Sequence, residues 1–297
     1  MTAASAGPVA YEGATPRPDP PAMQRLQELG HGPSHDYRAG SPHLKHWSLV
    51  ERLTVMLLGA IGGAADRGLP LTLLEIGAGH GGYTEMALAA GCTVTATETS
   101  RPSVERARTR FRSNPGFSAF FSPDGTLDVL GDSTFSLVLC ASVLHHIPDY
   151  LAFVDQAVDR LNRGGTFVSV ADPLWYPRLR RRDHRASRVA YLAWRACRGD
   201  YRRGVSTQWR RLRGIYDPDN PADMVEYHVN RNGVDEQALV ELLSARFSSV
   251  RLVTYWSTQA AVLQRVGERL GTRNCFALVA EGKGDGLPVM AQAQAGG

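Results

Sequence analysis

Residues 73–84 read LLEIGAGHGGYT. An apolar strand runs into an acid, then a glycine-rich turn, then the start of a helix. Glycine lets the chain turn sharply and leaves bare backbone for a ligand to lie against. The helix that follows offers unpaired N–H groups and the positive end of its dipole. This is a nucleotide-cofactor turn, and it predicts an α/β chain wound around it. Read literally, Gly77, Gly79 and Gly82 satisfy the dinucleotide fingerprint G-x-G-x-x-G, a weak signal when it stands alone.

Three features lead away from a nicotinamide cofactor. Glu75 stands two residues before the first glycine, where a pyrophosphate would gain nothing from a carboxylate but a cationic cofactor with an amino group would. The second strand, CTVTATETS, ends in Glu98, 23 residues after Glu75. An acid there can take both ribose hydroxyls, although NAD sites use one too. The third is FSLVLCASVLHHIP (135–148), followed by a helix and LNRGGTFVSV (161–170). Together these stretches resemble the class I (Rossmann-like) S-adenosylmethionine (SAM)-dependent methyltransferases, small-molecule type, over roughly residues 70–172.

That resemblance implies a doubly wound, mostly parallel seven-stranded sheet with an antiparallel last strand, and SAM as cofactor with S-adenosylhomocysteine as product. Gly77, Ala78 and Gly79 would pass the methionyl part, with Glu75 reaching its ammonium. Glu98 would accept the ribose hydroxyls, with Thr99 and Ser100 beside it. Asp124, followed by Gly125, falls where the family places an acid for the adenine amino group, although Asp-Gly is equally a turn signal. Cys140, Ala141 and Ser142 would line the cofactor with backbone atoms. Family members often carry an acid where this chain has Ser136, a position that is not constant among them.

Composition sets outer limits. With 297 residues, 43% hydrophobic and 21% charged, the chain can bury a full core as one α/β domain with appendages. The net charge of +4 is mild. The longest apolar run, from Leu53, is broken by glycines and reads as too short to span a membrane. The N-terminus lacks the pattern of a secretory signal. Cys92, Cys140, Cys197 and Cys275 stand far apart with no CxxC, which suits buried reduced thiols and a cytoplasmic enzyme.

Along the chain, residues 1–21 read as a disordered terminus, 22–66 as a helical lid, 67–282 as the SAM-binding domain and 283–297 as a disordered tail. In the lid, Trp47, Val50, Leu53, Leu57 and Leu58 recur at helical spacing and should pack on the sheet. A helix should start near Arg101–Pro102 with Ser100 as its N-cap, and another over VDEQALVELLSARF with Val234 just inside its start. Residues 174–232 interrupt the alternation as an inserted lid. From Trp175 to Asp217 that segment holds thirteen arginines and no lysine. Val189, Leu192, Ala193 and Ala196 make an apolar stripe on it. Trp175, Tyr176, Trp194 and Trp209 could wall an aromatic pocket.

His145 and His146 are the candidate catalytic residues. Either could act as general base toward a hydroxyl, since an imidazole titrates near neutrality. Either could equally bond strand or helix termini and shape the pocket. His31, His35, His43 and His46 cluster with Tyr37 but match no metal motif, and no metal is expected. Tyr37 or His43 touching the cofactor and a solvated loop are both open readings. The expected activity is methyl transfer to oxygen, nitrogen or carbon of a small metabolite of aromatic or polyketide-like kind, in secondary metabolism. No nucleic-acid partner or membrane span is expected; the oligomeric state stays open, a homodimer included. Two other functions compete: an RNA or polyanion methyltransferase using the arginine segment, and a SAM-binding enzyme that does not methylate, such as a cyclase.

Overall fold

The computed structural model describes residues 41–79, 81–197 and 232–284. The expectations for residues 1–40, with His31, His35 and Tyr37, for Trp209 and most of the inserted lid, and for the tail beyond Gly284 lie outside these residues. Elements are numbered over the described part. After α1 (Pro42–Lys45) and α2 (Trp47–Asp66) come β1 (Thr72–Ile76), α3 (Gly82–Ala89), β2 (Thr93–Glu98), α4 (Arg101–Arg110) and β3 (Phe117–Phe121). Then follow β4 (Phe135–Ala141), α5 (Tyr150–Asp159), β5 (Leu161–Pro173) and α6 (Arg181–Cys197). The chain ends with α7 (Glu236–Ser244), β6 (Phe247–Tyr255), α8 (Ala261–Arg269) and β7 (Cys275–Lys283).

The seven strands form one sheet in the order β3-β2-β1-β4-β5-β7-β6. The first five pair in parallel, and β7 runs antiparallel to both β5 and β6. This is the sheet read from the sequence. The order reverses between β1 and β4, and a ligand binds outside the carboxyl ends of strands at such a switch point.

Alternation along the central strands sends side chains to two separate cores. Leu73, Leu137, Leu139, Val168 and Val279 pack with α2 on one face. Leu74, Val138, Cys140, Phe167 and Leu278 pack with α5 and α7 on the other. Caps fix where helices begin. Ser100 Oγ accepts from Ser103 N–H at 3.4 Å to open α4, as expected. Asp149 does the same for α5 with Ala152 N–H at 3.2 Å. For α7 the cap is Asp235, which accepts from Gln237 and Ala238 N–H. Val234 therefore lies before the helix, fully buried and bridged to Leu174.

The phase of α2 differs from the expectation. Leu53 and Leu57 are buried, but the stripe facing the sheet is Leu49, Leu53, Met56, Leu57, Ala60, Ile61 and Ala64. Trp47 and Leu58 point outward, at 77% and 44% exposure. The buried arc combines the large Leu49, Leu53, Met56, Leu57 and Ile61 with the small Ala60 and Ala64, and these pack in one core with the sheet. By length and a mean hydropathy of 1.4, α2 would pass as a bilayer span, which the sequence reading had judged too short. Here its inner face is part of the protein core.

The described part of the insertion, α6, is also rotated from its expected phase. Val189 and Leu192 are 62% and 52% exposed, while Asp183 and Ala190 are buried. Ser187, Ala190, Tyr191 and Trp194 line a small hollow of about 210 Å³ against Trp256 and Thr258. Arg180, Arg181, Arg182, Arg185 and Arg188 are exposed. Cys92, Cys140 and Cys275 are buried, whereas Cys197 is exposed.

Candidate active site

A cavity of about 1100 Å³ opens at the switch point. Its wall includes Glu75, Gly77, Ala78, Gly79, Glu98, Thr99, Asp124, Gly125, Ala141, Ser142 and His146. Ser100 lines it too, whereas Cys140 and His145, also proposed from the sequence, do not.

The glycine turn is built as its composition requires. Gly77, Gly79 and Gly81 have φ of +69°, +53° and +73°, which side chains rarely adopt. A Cβ on Gly77 would sit 2.5 Å from Val143 Cγ2, so the loop after β4 closes directly on the turn. Glu98 Oε1 accepts from Gly79 N–H at 2.5 Å, and Oε2 from Thr99 N–H at 3.1 Å. The end of β2 thus braces the turn as well as facing the cavity. Burial pushes the Glu98 carboxyl up, opposed by these backbone donors.

Three buried polar atoms in this wall have no protein partner among the described residues: Glu75 Oε1, Tyr83 Oη and His43 Nε2. Thr84 Oγ1 donates to the other oxygen of Glu75. Burial raises the Glu75 carboxyl to about 8, opposed by the Thr84 bond and reinforced by Glu98. Burial, with His46 beside it, lowers His43 to about 4, so that imidazole is neutral. Its ring meets Tyr255 edge-on at 5.8 Å. A buried acid with an open oxygen, beside a phenol and an imidazole, complements an ammonium and a carboxylate on one carbon. The donor set therefore fits the methionyl end of SAM. Tyr83 and Thr84 were not singled out in the sequence, although both fall inside the stretch that decided the fold. His43 sits in α1, and His46 Nε2 lies 2.8 Å from Thr258 O, tying the segment down. That arrangement favours the cavity-wall reading of His43 over the solvated-loop reading.

Asp124 has the bonding of the turn that Asp-Gly signals. Its Oδ1 accepts from Thr126 N–H, Thr126 Oγ1 and Ser122 Oγ, each at 3.1 Å, and these bonds hold its carboxyl below the usual range. It is a turn residue that also lines the cavity. Ser136 is buried, its N–H bonded to Thr72 Oγ1 at 3.0 Å.

The two histidines part company. Both lie in a 3₁₀ turn, Leu144–His146. His146 lines the cavity, whereas His145 is 4% exposed and turned to the core. The expected catalytic role of His145 thus lacks access to the cavity. Its Nδ1 lies 2.7 Å from Asp172 Oδ1, a fully buried carboxylate at the end of β5. Asp172 went unnoticed in the sequence, though an acid ending a central strand was signal enough. Trp175, Tyr176 and Trp194 are absent from the wall of the large cavity; among the described residues, Tyr83 and Phe153 supply its phenyl and phenol rings.

Residues 74–167 match the family model described as a methyltransferase domain. The match runs from within β1 to within β5, the part of the chain whose strand ends build the switch-point cavity, and that part is similar to a methyltransferase domain. Among solved structures, the chain is similar to the CcbJ methyltransferase from Streptomyces caelestis, with 25% identity and a TM-score of 0.33. That match covers 38% of this chain and 49% of the other, so the chain spans about half the length of that relative. It is also similar to the N-methyltransferase NodS from Bradyrhizobium japonicum WM9 in complex with S-adenosylhomocysteine: 16% identity, 88% and 98% coverage, TM-score 0.48. The N-terminal domain of EvdMO1 with S-adenosylhomocysteine bound gives 16% identity, 88% and 95% coverage, and a TM-score of 0.48. Among curated proteins, none matches the sequence.

Proposed function

We propose that the enzyme methylates an oxygen, nitrogen or carbon of a small metabolite enclosed beside the cofactor. The observation that carries this reading is the extent of the cavity. At about 1100 Å³ it stands at the upper end of small-molecule sites, and it runs past the glycine turn to Ala152, Phe153 and Gln156 on α5. Bound SAM supplies a methyl group already activated by its sulfonium. Glu75, Tyr83 and His43 would hold the methionyl end, Glu98 the ribose and Asp124 the adenine side. The remaining wall, with Ile147, Phe153 and Met86, excludes water from the acceptor. His146, in the cavity wall, would take a proton from a hydroxyl acceptor; an amine or an acidic phenol would need no such base.

The cofactor part is tested by thermal shift. SAM and S-adenosylhomocysteine should raise the melting temperature, while NAD and NADP leave it unchanged. Stabilisation by NADH alone would end the reading. The acceptor part is tested by incubating the enzyme and SAM with fractionated small-metabolite extracts and with bulk RNA. A small product heavier by one CH₂ supports the proposal; methylation of RNA alone overturns it.

A further inference from the structure

The loop that carries His146 is held from behind by a set of buried contacts centred on Asp172. Its carboxylate is fully buried and hydrogen-bonded through both oxygens. His145 N–H donates to Oδ1 at 3.2 Å, His145 Nδ1 meets the same oxygen at 2.7 Å, and Ser169 Oγ donates to Oδ2 at 3.1 Å. Asp172 Oδ1 already accepts from the His145 N–H, and the same oxygen accepts from the ring when the hydrogen of His145 is on Nδ1. The His145 ring then lies against the His146 ring, centroids 4.0 Å apart and tilted by 43°. One buried acid thereby fixes both backbone and side chain of the residue on which the cavity-facing imidazole rests.

Backbone strain marks the same place. Among the described residues, two that are not glycine have positive φ: Ser142 at +59° and Ala171 at +67°. Ser142 directly follows β4 and Ala171 lies near the end of the neighbouring β5; both line the cavity, and Ser142 N–H donates to Val170 O at 2.8 Å. At Ala171 the β5–β7 register slips by a residue, forming a bulge. A bulge re-aims the side chain that follows it, here Asp172, turned inward beneath the His145 turn. Strain of this kind persists only where surrounding contacts over-determine it, and it concentrates at functional sites.

We infer that Asp172 is a positioning residue: acting through His145, it fixes the orientation of His146 in the cavity wall. The inference rests on the methyltransferase reading only for the use to which His146 is put. Other titratable groups surround the pair. Cys140 from β4, Cys275 from β7 and Tyr255 from β6 sense the Asp172 charge, and all three are kept neutral by burial. On the cavity side stand Glu75, Glu98 and Asp149. None of these supplies the short contact to His145 Nδ1 that Asp172 makes.

The test is nitrogen-15 NMR of histidine-labelled full-length protein, with the two rings assigned from His145→Gln and His146→Gln. In the wild type, His145 should show the Nδ1–H tautomer with a slowly exchanging ring proton, and His146 a single ordered set of shifts. Asp172→Asn can present its amide oxygen to both His145 donors and should keep these signatures. Asp172→Leu, similar in size but without an acceptor, should lose the slowly exchanging proton and change the His146 shifts. An Nε2–H tautomer for His145 in the wild type would overturn the inference, as would unchanged His146 shifts in a folded Asp172→Leu protein. Should that variant not fold, the wild-type and Asp172→Asn spectra still decide. Calorimetry with S-adenosylhomocysteine runs alongside on the wild type: absent binding would refute the SAM reading while leaving the histidine result standing. Where it binds, Asp172→Leu should change its affinity by less than about threefold, because Asp172 does not line the cavity.

Discussion

Glu75 is the residue whose chemistry is most exposed to test, because its two oxygens have different fates. One is bonded to Thr84 and the other is open within a buried wall. Its carboxyl is raised from an ordinary 4.5 to about 8 in the ligand-free fold. A group raised in this way favours the folded state while protonated. That contribution is present at low pH and is lost as pH climbs from about 4.5 through about 8. Taking a cofactor ammonium demands the ionised form, so binding below pH 8 must release a proton. Affinity for S-adenosylhomocysteine should therefore rise by up to about tenfold per pH unit between pH 6 and 8, then level off. Calorimetry in buffers of different ionisation heat reads the proton directly. A pH-independent affinity with no proton released would remove Glu75 from the ammonium, and Glu75→Gln should flatten the profile in any case.

The elements meet closely where the β1–α3 turn touches the loop after β4. Gly77→Ala would combine a strained φ of +69° with a Cβ 2.5 Å from Val143 Cγ2. A loss of about 1–3 kcal/mol is expected in urea unfolding, with S-adenosylhomocysteine binding abolished. Adding Val143→Ala removes the clash but not the strained backbone, so the double variant should recover only part of the loss; no recovery would mean that the turn, not the contact, sets the cost. That turn was legible because its residues are local: strand, acid, glycines and helix lie within one short stretch, and Glu98 ends the next strand. The rotations of α2 and α6 were not legible. Hydrophobic spacing gives the period of a helix, but the buried arc depends on what the neighbouring layer leaves room for. Leu49, Ala60 and Ala64 face the sheet while Trp47 and Leu58 face out, although size and hydrophobicity alone would not choose between Leu49 and Leu58. The split between His145 and His146 was hidden for a related reason. Adjacent residues in a tight turn point in different directions, and the partner that decides the matter, Asp172, is 27 residues away.

At the scale of the whole molecule, a mild net charge of +4 coexists with a concentrated arginine face. Arg180, just before α6, and Arg181, Arg182, Arg185 and Arg188 on it stand in solvent, and among the described residues α6 contributes none to the wall of the large cavity. The face could be a solvated helix surface or a landing site for a polyanion, and these predict opposite salt behaviour. Exposed charges farther apart than a Debye length, about 8 Å at physiological salt, are largely screened. A true phosphate-binding face releases counterions, so its RNA affinity falls steeply with salt, by about one unit of logarithmic slope per phosphate contact. The burial of Ala190 against the Trp256 and Thr258 segment shows α6 docked by its opposite side, as a surface helix is. RNA affinity of the wild type should therefore be negligible at 150 mM salt (about physiological). Exchanging Arg180, Arg181 and Arg182 for Gln should leave S-adenosylhomocysteine binding and thermal stability unchanged within about 0.5 kcal/mol. Submicromolar RNA binding that weakens with salt, and weakens again in the triple exchange, would move the acceptor from an enclosed metabolite to a nucleic acid held on this face.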